Sequence, residues 1–200
     1  MLLKICLKII TIKKLLHNTL KNGFSMSEKY PVAMRFLHWF MAVIIISMII
    51  LGIFMGGVDK ENPLRMQLYN IHKSFGVTVI FLFVLRVAVR LASSAKIPKL
   101  PKQISQTEVR FAHLGHFAIY ALMFAVPISG YAMSNSYGYP VKWFTIEMPK
   151  LFADDKEFAA LASQAHEFLA FSLLALLIFH VAAVVKHRIK DKVNLLERMN

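Results

Sequence analysis

The sequence predicts an all-α membrane protein, a bundle of four transmembrane helices with both termini in the cytoplasm. Three observations carry that expectation: an apolar composition, four long stretches almost free of charge, and loops that alternate between strongly basic and near neutral. Hydrophobic residues make up 57% of the 200 and charged residues 18%, with mean hydropathy +0.54. Soluble chains sit nearer about 45–50% and about 25%. The length suits one domain rather than a multidomain enzyme.

The first stretch, Phe36–Val58, has no Asp, Glu, Lys or Arg, and crossing a bilayer takes about 20 helical residues. The second, Ile71–Ala92, carries Arg86 and Arg90 near its end. Residues four apart share one helix face, and both arginines are expected to snorkel to the headgroups. In the third, Phe111–Met133, Pro127 is expected to kink the helix without ending it. The fourth is Phe168–Val185, with its helix starting several residues earlier.

Net charge is +6 over residues 1–35, +1 over 56–73, +5 over 86–110, −2 over 141–167 and +3 over 186–200. Basic excess marks cytoplasmic segments, so the first, third and last of these lie inside. The overall +13 is thereby a matter of topology, and no nucleic-acid partner is implied; the environment is membrane lipid.

Residues 1–25 are basic and interspersed with Leu and Ile, without the A-x-A-like cleavage site of a signal peptide. Their apolar runs are too short and too charged to span. They are expected to form an N-terminal extension upstream of the natural start at Met26, an interfacial helix being the other reading. Residues 26–200 then form one four-helix domain.

One cysteine, Cys6, excludes a disulfide framework, a Cys-rich zinc site, a multi-cysteine iron–sulfur cluster and covalently attached haem. Eight histidines remain. Within a membrane span such side chains are costly and so point to function. His38 falls toward the cytoplasmic side of the first helix, and His72 toward the outer side of the second. His166 and His180 lie fourteen residues apart on the fourth; at about 100° and 1.5 Å per residue they face nearly the same way, about 21 Å apart along the axis.

Matching depths pairs His38 with His180 on the inner side and His72 with His166 on the outer side. Two levels of facing imidazoles suit bis-histidine ligation of haem b, two groups in all, each iron held by two histidines. Zinc would need its ligands to converge at one depth. A lone histidine near an interface also occurs as a headgroup contact, a reading open for His72 and His166. Gly52, Gly56, Gly57 and Gly76 lie in or beside spans, where small residues serve a macrocycle or plain helix packing equally.

His113 and His116 begin the third helix on the cytoplasmic side and share a face. Either could replace an inner ligand, bind a quinone carbonyl or sit at the interface. His187, two turns beyond His180, is the preferred proton donor at a quinone site, the alternative being a histidine that marks the helix end. Arg35, Arg86 and Arg90 gather at the inner ends of the first two helices, where at least one is expected to bind a haem propionate and where positive-inside anchoring is the competing role.

The runs RFLHWFMAVIIISMIILG, LYNIHKSFGVTVIFLFVLRVAVRL, FAHLGHFAIYALMFAVPISGY and QAHEFLAFSLLALLIFHVAAVVKH resemble the bacterial cytochrome b561 family. The similarity covers about Tyr30 to Arg198. It implies a four-helix protein of the bacterial inner membrane with two non-covalent haem b groups, whose axial ligands fall at His38, His72, His166 and His180. It further implies electron transfer, from superoxide at the periplasmic side to ubiquinone in the stand-alone branch. In other branches the protein is a cytochrome b subunit fed by a partner redox protein.

Overall fold

The computed structural model describes residues 29–200 except Leu100 and Lys102. The expectation about residues 1–25 therefore lies outside the described residues. Four helices dominate: α1 (Val32–Gly56), α2 (Leu64–Ala92), α3 (Gln106–Ser136) and α4 (Lys156–Ile189). Each is long and apolar enough to cross a membrane. Their 25 to 34 residues extend beyond the apolar stretches. At about 1.5 Å per residue they outrun a hydrocarbon core about 30 Å thick.

Local chemistry sets the ends. Ser105 and Glu108 close a capping box at the start of α3, satisfying two backbone donors that a helix start leaves free. At α4 the Asp155 carboxylate accepts from the amides of Glu157 and Phe158, both at 3.0 Å. Pro127 sits inside α3, which continues to Ser136.

Outward faces are rich in large apolar side chains, among them Phe36, Val43, Phe117, Phe168 and Phe179. In water such a surface would aggregate; against lipid it is in its own solvent. The interior brings together Met41, Ile44 and Ile45 of α1, Val79 of α2, Met123 of α3 and Leu173 of α4. The closest packing is α3 on α4, then α1 on α2, then α2 on α3, while α1 and α4 hardly touch backbone to backbone. The interior between these two helices must therefore be closed by side chains or by something else.

The two ends of the described chain meet, since the Tyr30 amide donates to the Arg198 carbonyl at 3.0 Å. We call this end of the bundle the terminal face. Arg198 is 4% exposed and its guanidinium donates to the carbonyls of Pro98 and Lys99, both at 2.8 Å. Trp39 donates to the Met199 carbonyl at 2.8 Å. The last residues thus strap the start of α1 to the α2–α3 loop.

At the opposite end a short antiparallel hairpin, β1 (Lys142–Trp143) and β2 (Ile146–Glu147), interrupts the all-helical plan between α3 and α4. It is pinned to α2, where Trp143 donates to Thr78 Oγ1 at 3.0 Å and the Phe144 amide donates to Ser74 Oγ at 3.0 Å. Phe144 adopts φ 54° at the turn. We call this end the hairpin face.

Candidate functional site

On the hairpin-face side, His72 of α2 and His166 of α4 stand with ring centroids 6.2 Å apart and planes at 84°. His166 Nδ1 lies 2.9 Å from the Val126 carbonyl and 3.2 Å from Ser129 Oγ. A carbonyl only accepts, so Nδ1 carries the proton and Nε2 keeps its lone pair. That is the arrangement a metal-binding imidazole takes. His72 Nδ1 is buried without a hydrogen-bond partner.

Glycine makes room for both rings. A Cβ on Gly130 would lie 3.0 Å from the His166 ring, and one on Gly52 would lie 3.4 Å from His72. A cavity of about 1000 Å³ surrounds the pair, lined by Gly52, Gly76, Gly130 and apolar side chains and rimmed by Lys60, Arg65 and Lys73. Lys73 donates to the Pro140 carbonyl at 2.9 Å.

Toward the terminal face, His38 of α1 and His180 of α4 face each other with centroids 6.3 Å apart. They bridge the two helices that barely pack. Trp39 stands edge-on to His38 at 5.3 Å, held by its bond to the C-terminal strap. Arg86 corrects the snorkelling expectation. Its guanidinium turns into the bundle, 3.0 Å from His38 Nδ1 and 3.0 Å from Tyr120 Oη. A guanidinium can only donate, so His38 Nδ1 is an acceptor here, and among the described residues no carboxylate pairs with Arg86.

The third helix brings His116 against His180, centroids 5.3 Å apart and planes at 78°. His116 Nδ1 lies 2.6 Å from the Ala112 carbonyl, so its proton sits on Nδ1. His113 is exposed, as is Arg90. Arg35 donates to the Asn200 carbonyl, and its Nε is buried without a partner.

His187 does not stand alone at the end of α4. Its Nδ1 is 2.6 Å from Asp191 Oδ2, and Lys186 bridges Asp191, at 3.1 Å, to Glu108 at the start of α3. Sequence reading missed Glu108, Tyr120 and Ser129 because Lys186, Arg86 and His166, which they meet, lie on other helices. Asp191 was within reach of local reading through its i, i+4 spacing from His187.

Each histidine pair fits iron between imidazoles. A metal–imidazole bond of about 2 Å on either side of one ion sets the ring centroids about 6 Å apart. The unpartnered His72 nitrogen, the glycine clearances and the all-imidazole donor set agree with that fit. Facing imidazoles inside an apolar four-helix bundle are the donor set that would suit a membrane cytochrome of the b type.

The chain belongs to the prokaryotic cytochrome b561 family, whose model matches residues 29–200. It is 34% identical over 175 residues to "Cytochrome b561 homolog 2" of Escherichia coli (strain K12), covering 86% of this chain and 91% of that protein. It is 28% identical over 174 residues to "Probable superoxide oxidase CybB" of Yersinia pestis, covering 87% and 97%. This is therefore a haem b-binding, multi-pass electron-transfer protein of the bacterial inner membrane.

Proposed function

We propose that the chain moves electrons through the inner membrane from superoxide at the hairpin face, on the periplasmic side, to ubiquinone, using two haem b groups. His72 and His166 hold one group, and His38 and His180 hold the other. The observation that carries this reading is the two facing pairs, 6.2 Å and 6.3 Å between centroids. Haem bound at a pair supplies a one-electron carrier. Each superoxide gives one electron and leaves as dioxygen; two electrons and two protons make one ubiquinol.

The chain's own residues supply position, charge and protons. The Val126 carbonyl and Ser129 fix the His166 tautomer. Lys60, Arg65 and Lys73 line the cavity together with Glu61 and Glu167, a small positive excess that supports an anion as donor. Were His38 to hold iron through Nε2, its Nδ1 would carry the proton and Arg86, now 3.0 Å from Nδ1, would have to turn to another acceptor. A propionate is the anion suited to receive it, whereas Arg35 is already engaged by the C-terminal strap. His187, with Nδ1 2.6 Å from the Asp191 carboxylate, is the proton donor to quinone on the terminal face. Placing that face in the cytoplasm follows from its basic segments.

The acidic sum of −2 over residues 141–167 favours a second reading, an electron-transfer subunit that docks a partner redox protein at the hairpin face. Purified protein with a haem-to-protein ratio, followed by stopped-flow mixing with superoxide and ubiquinone, separates the two. We expect two low-spin haems per chain, reduced by superoxide and reoxidised by quinone. His180→Ala and His166→Ala should each retain one haem, and different ones. Two haems with wild-type spectra in either variant would overturn the pairing, and inertness toward superoxide would favour the partner-fed reading.

A further inference from the structure

His116 sits beside His180, and the ligand pairs proposed above give it no part. Its Nδ1–H is committed to the Ala112 carbonyl of its own helix at 2.6 Å. The neutral ring then has one free lone pair, at Nε2, and acts as an acceptor only. Among the described residues, neither nitrogen of His180 has a hydrogen-bond partner, in contrast to His166 at the other level, which donates to Val126. An imidazole that binds iron through one nitrogen keeps N–H on the other, and such ligands almost always donate that proton to a neighbour.

The His116 and His180 centroids are 5.3 Å apart, with planes at 78°. Two imidazoles joined by one N–H···N bond of about 2.9 Å have centroids about 5 Å apart. We propose that His116 is a positioning residue: it accepts the N–H that His180 retains when its other nitrogen binds iron, fixing the ring and raising its basicity. His116 thereby does for His180 what Val126 does for His166. The partner comes from α3, the helix packed most closely on α4.

This rests on the reading of His180 as a haem ligand and assigns it a partner. A more basic ligand favours ferric over ferrous iron, so removing the acceptor should raise the potential of that haem alone. Three variants test it: His116→Leu removes the acceptor, His116→Gln keeps an acceptor oxygen at a similar reach, and His180→Ala checks the ligand itself. Redox titration and low-temperature EPR of each purified protein are the readouts, with haem affinity from titration of the depleted protein.

His116→Leu should keep two haems, raise one midpoint, shift the low-spin g-values of that haem and weaken its binding by about 10- to 100-fold. His116→Gln should restore midpoint and g-values toward wild type. An unchanged midpoint in His116→Leu, equal shifts at both haems, or a Gln variant that behaves like Leu would each overturn the proposal. Complete loss of one haem in both variants would overturn it too, by making His116 a ligand. Slowed reoxidation by quinone with unmoved potentials would assign His116 to the quinone instead. Retention of both haems in His180→Ala would fail the underlying reading and is distinguishable from all of these.

Discussion

Gly130 has no side chain, and its neighbour explains why it has none. A Cβ there would stand 3.0 Å from the His166 Cε1 and 3.1 Å from Nδ1, closer than a methyl carbon and a ring settle. Gly130→Ala should push His166 off the axis it shares with His72, and haem affinity at that level should fall by about 10- to 100-fold, measured by haem titration. At Gly115, which does not line the cavity around that pair, a Cβ would meet nothing within 4 Å, so Gly115→Ala should titrate like wild type at that level. Full affinity in Gly130→Ala would show that the ring yields without cost. The sequence made the four paired histidines legible, because depth and helical phase are properties of a single chain segment. It did not reveal Gly130, nor the inward turn of Arg86, because both depend on what a neighbouring helix presents.

Among the elements, α3 and α4 are joined at the terminal face by polar contacts whose members come from three segments. His187 and Lys186 both donate to Asp191, and those bonds, His187 foremost, hold its carboxyl below the usual value of 3.8. A carboxylate depressed in the folded state stabilises the fold at every pH above the unfolded value and loses that contribution as pH falls through the lower, folded one. Asp191→Asn should therefore lower the thermal midpoint in detergent at neutral pH, and the gap to wild type should close as pH drops below about 3.8. A gap that stays constant into acid would mean the effect is packing rather than charge. The spans themselves were legible from apolar length, and an earlier start for the fourth helix was expected, but not that it reaches back to Lys156, because polar turns carry no apolar stretch to measure. The β1–β2 hairpin was missed for a related reason. Two-residue strands have no periodicity to detect, and its anchors Ser74 and Thr78 lie about seventy residues away.

At the scale of the molecule, the odd seam is the one between α1 and α4. Helices consecutive in the chain pack backbone to backbone, whereas α1 meets α4 chiefly through side chains, Met41, Ile44 and Ile45 joining Leu173 in the core and His38 facing His180 across 6.3 Å. The imidazole pair by itself adds little to that seam, since each is a polar ring in an apolar core. Bound haem would bridge the seam with a large apolar plate and two metal–ligand bonds, so folding and loading are linked. A ligand that binds only the folded chain adds about 2.7 kcal/mol at a hundredfold excess over its Kd. Haem-depleted protein should thus melt lower than loaded protein, and its midpoint should climb with added haem, to two equivalents on the proposed two-haem reading. Hydrogen exchange should locate the loss. Depletion should expose amides of α1 first, because α2 is the one helix against which α1 packs closely backbone to backbone, while the tightly packed α3–α4 pair stays protected. His180→Ala should reproduce the α1 pattern with the other haem still in place, and His166→Ala should leave α1 protected. Uniform loss of protection over all four helices in His180→Ala would mean that the seam is held by the bundle as a whole, and that the haem at this level is not what joins α1 to it.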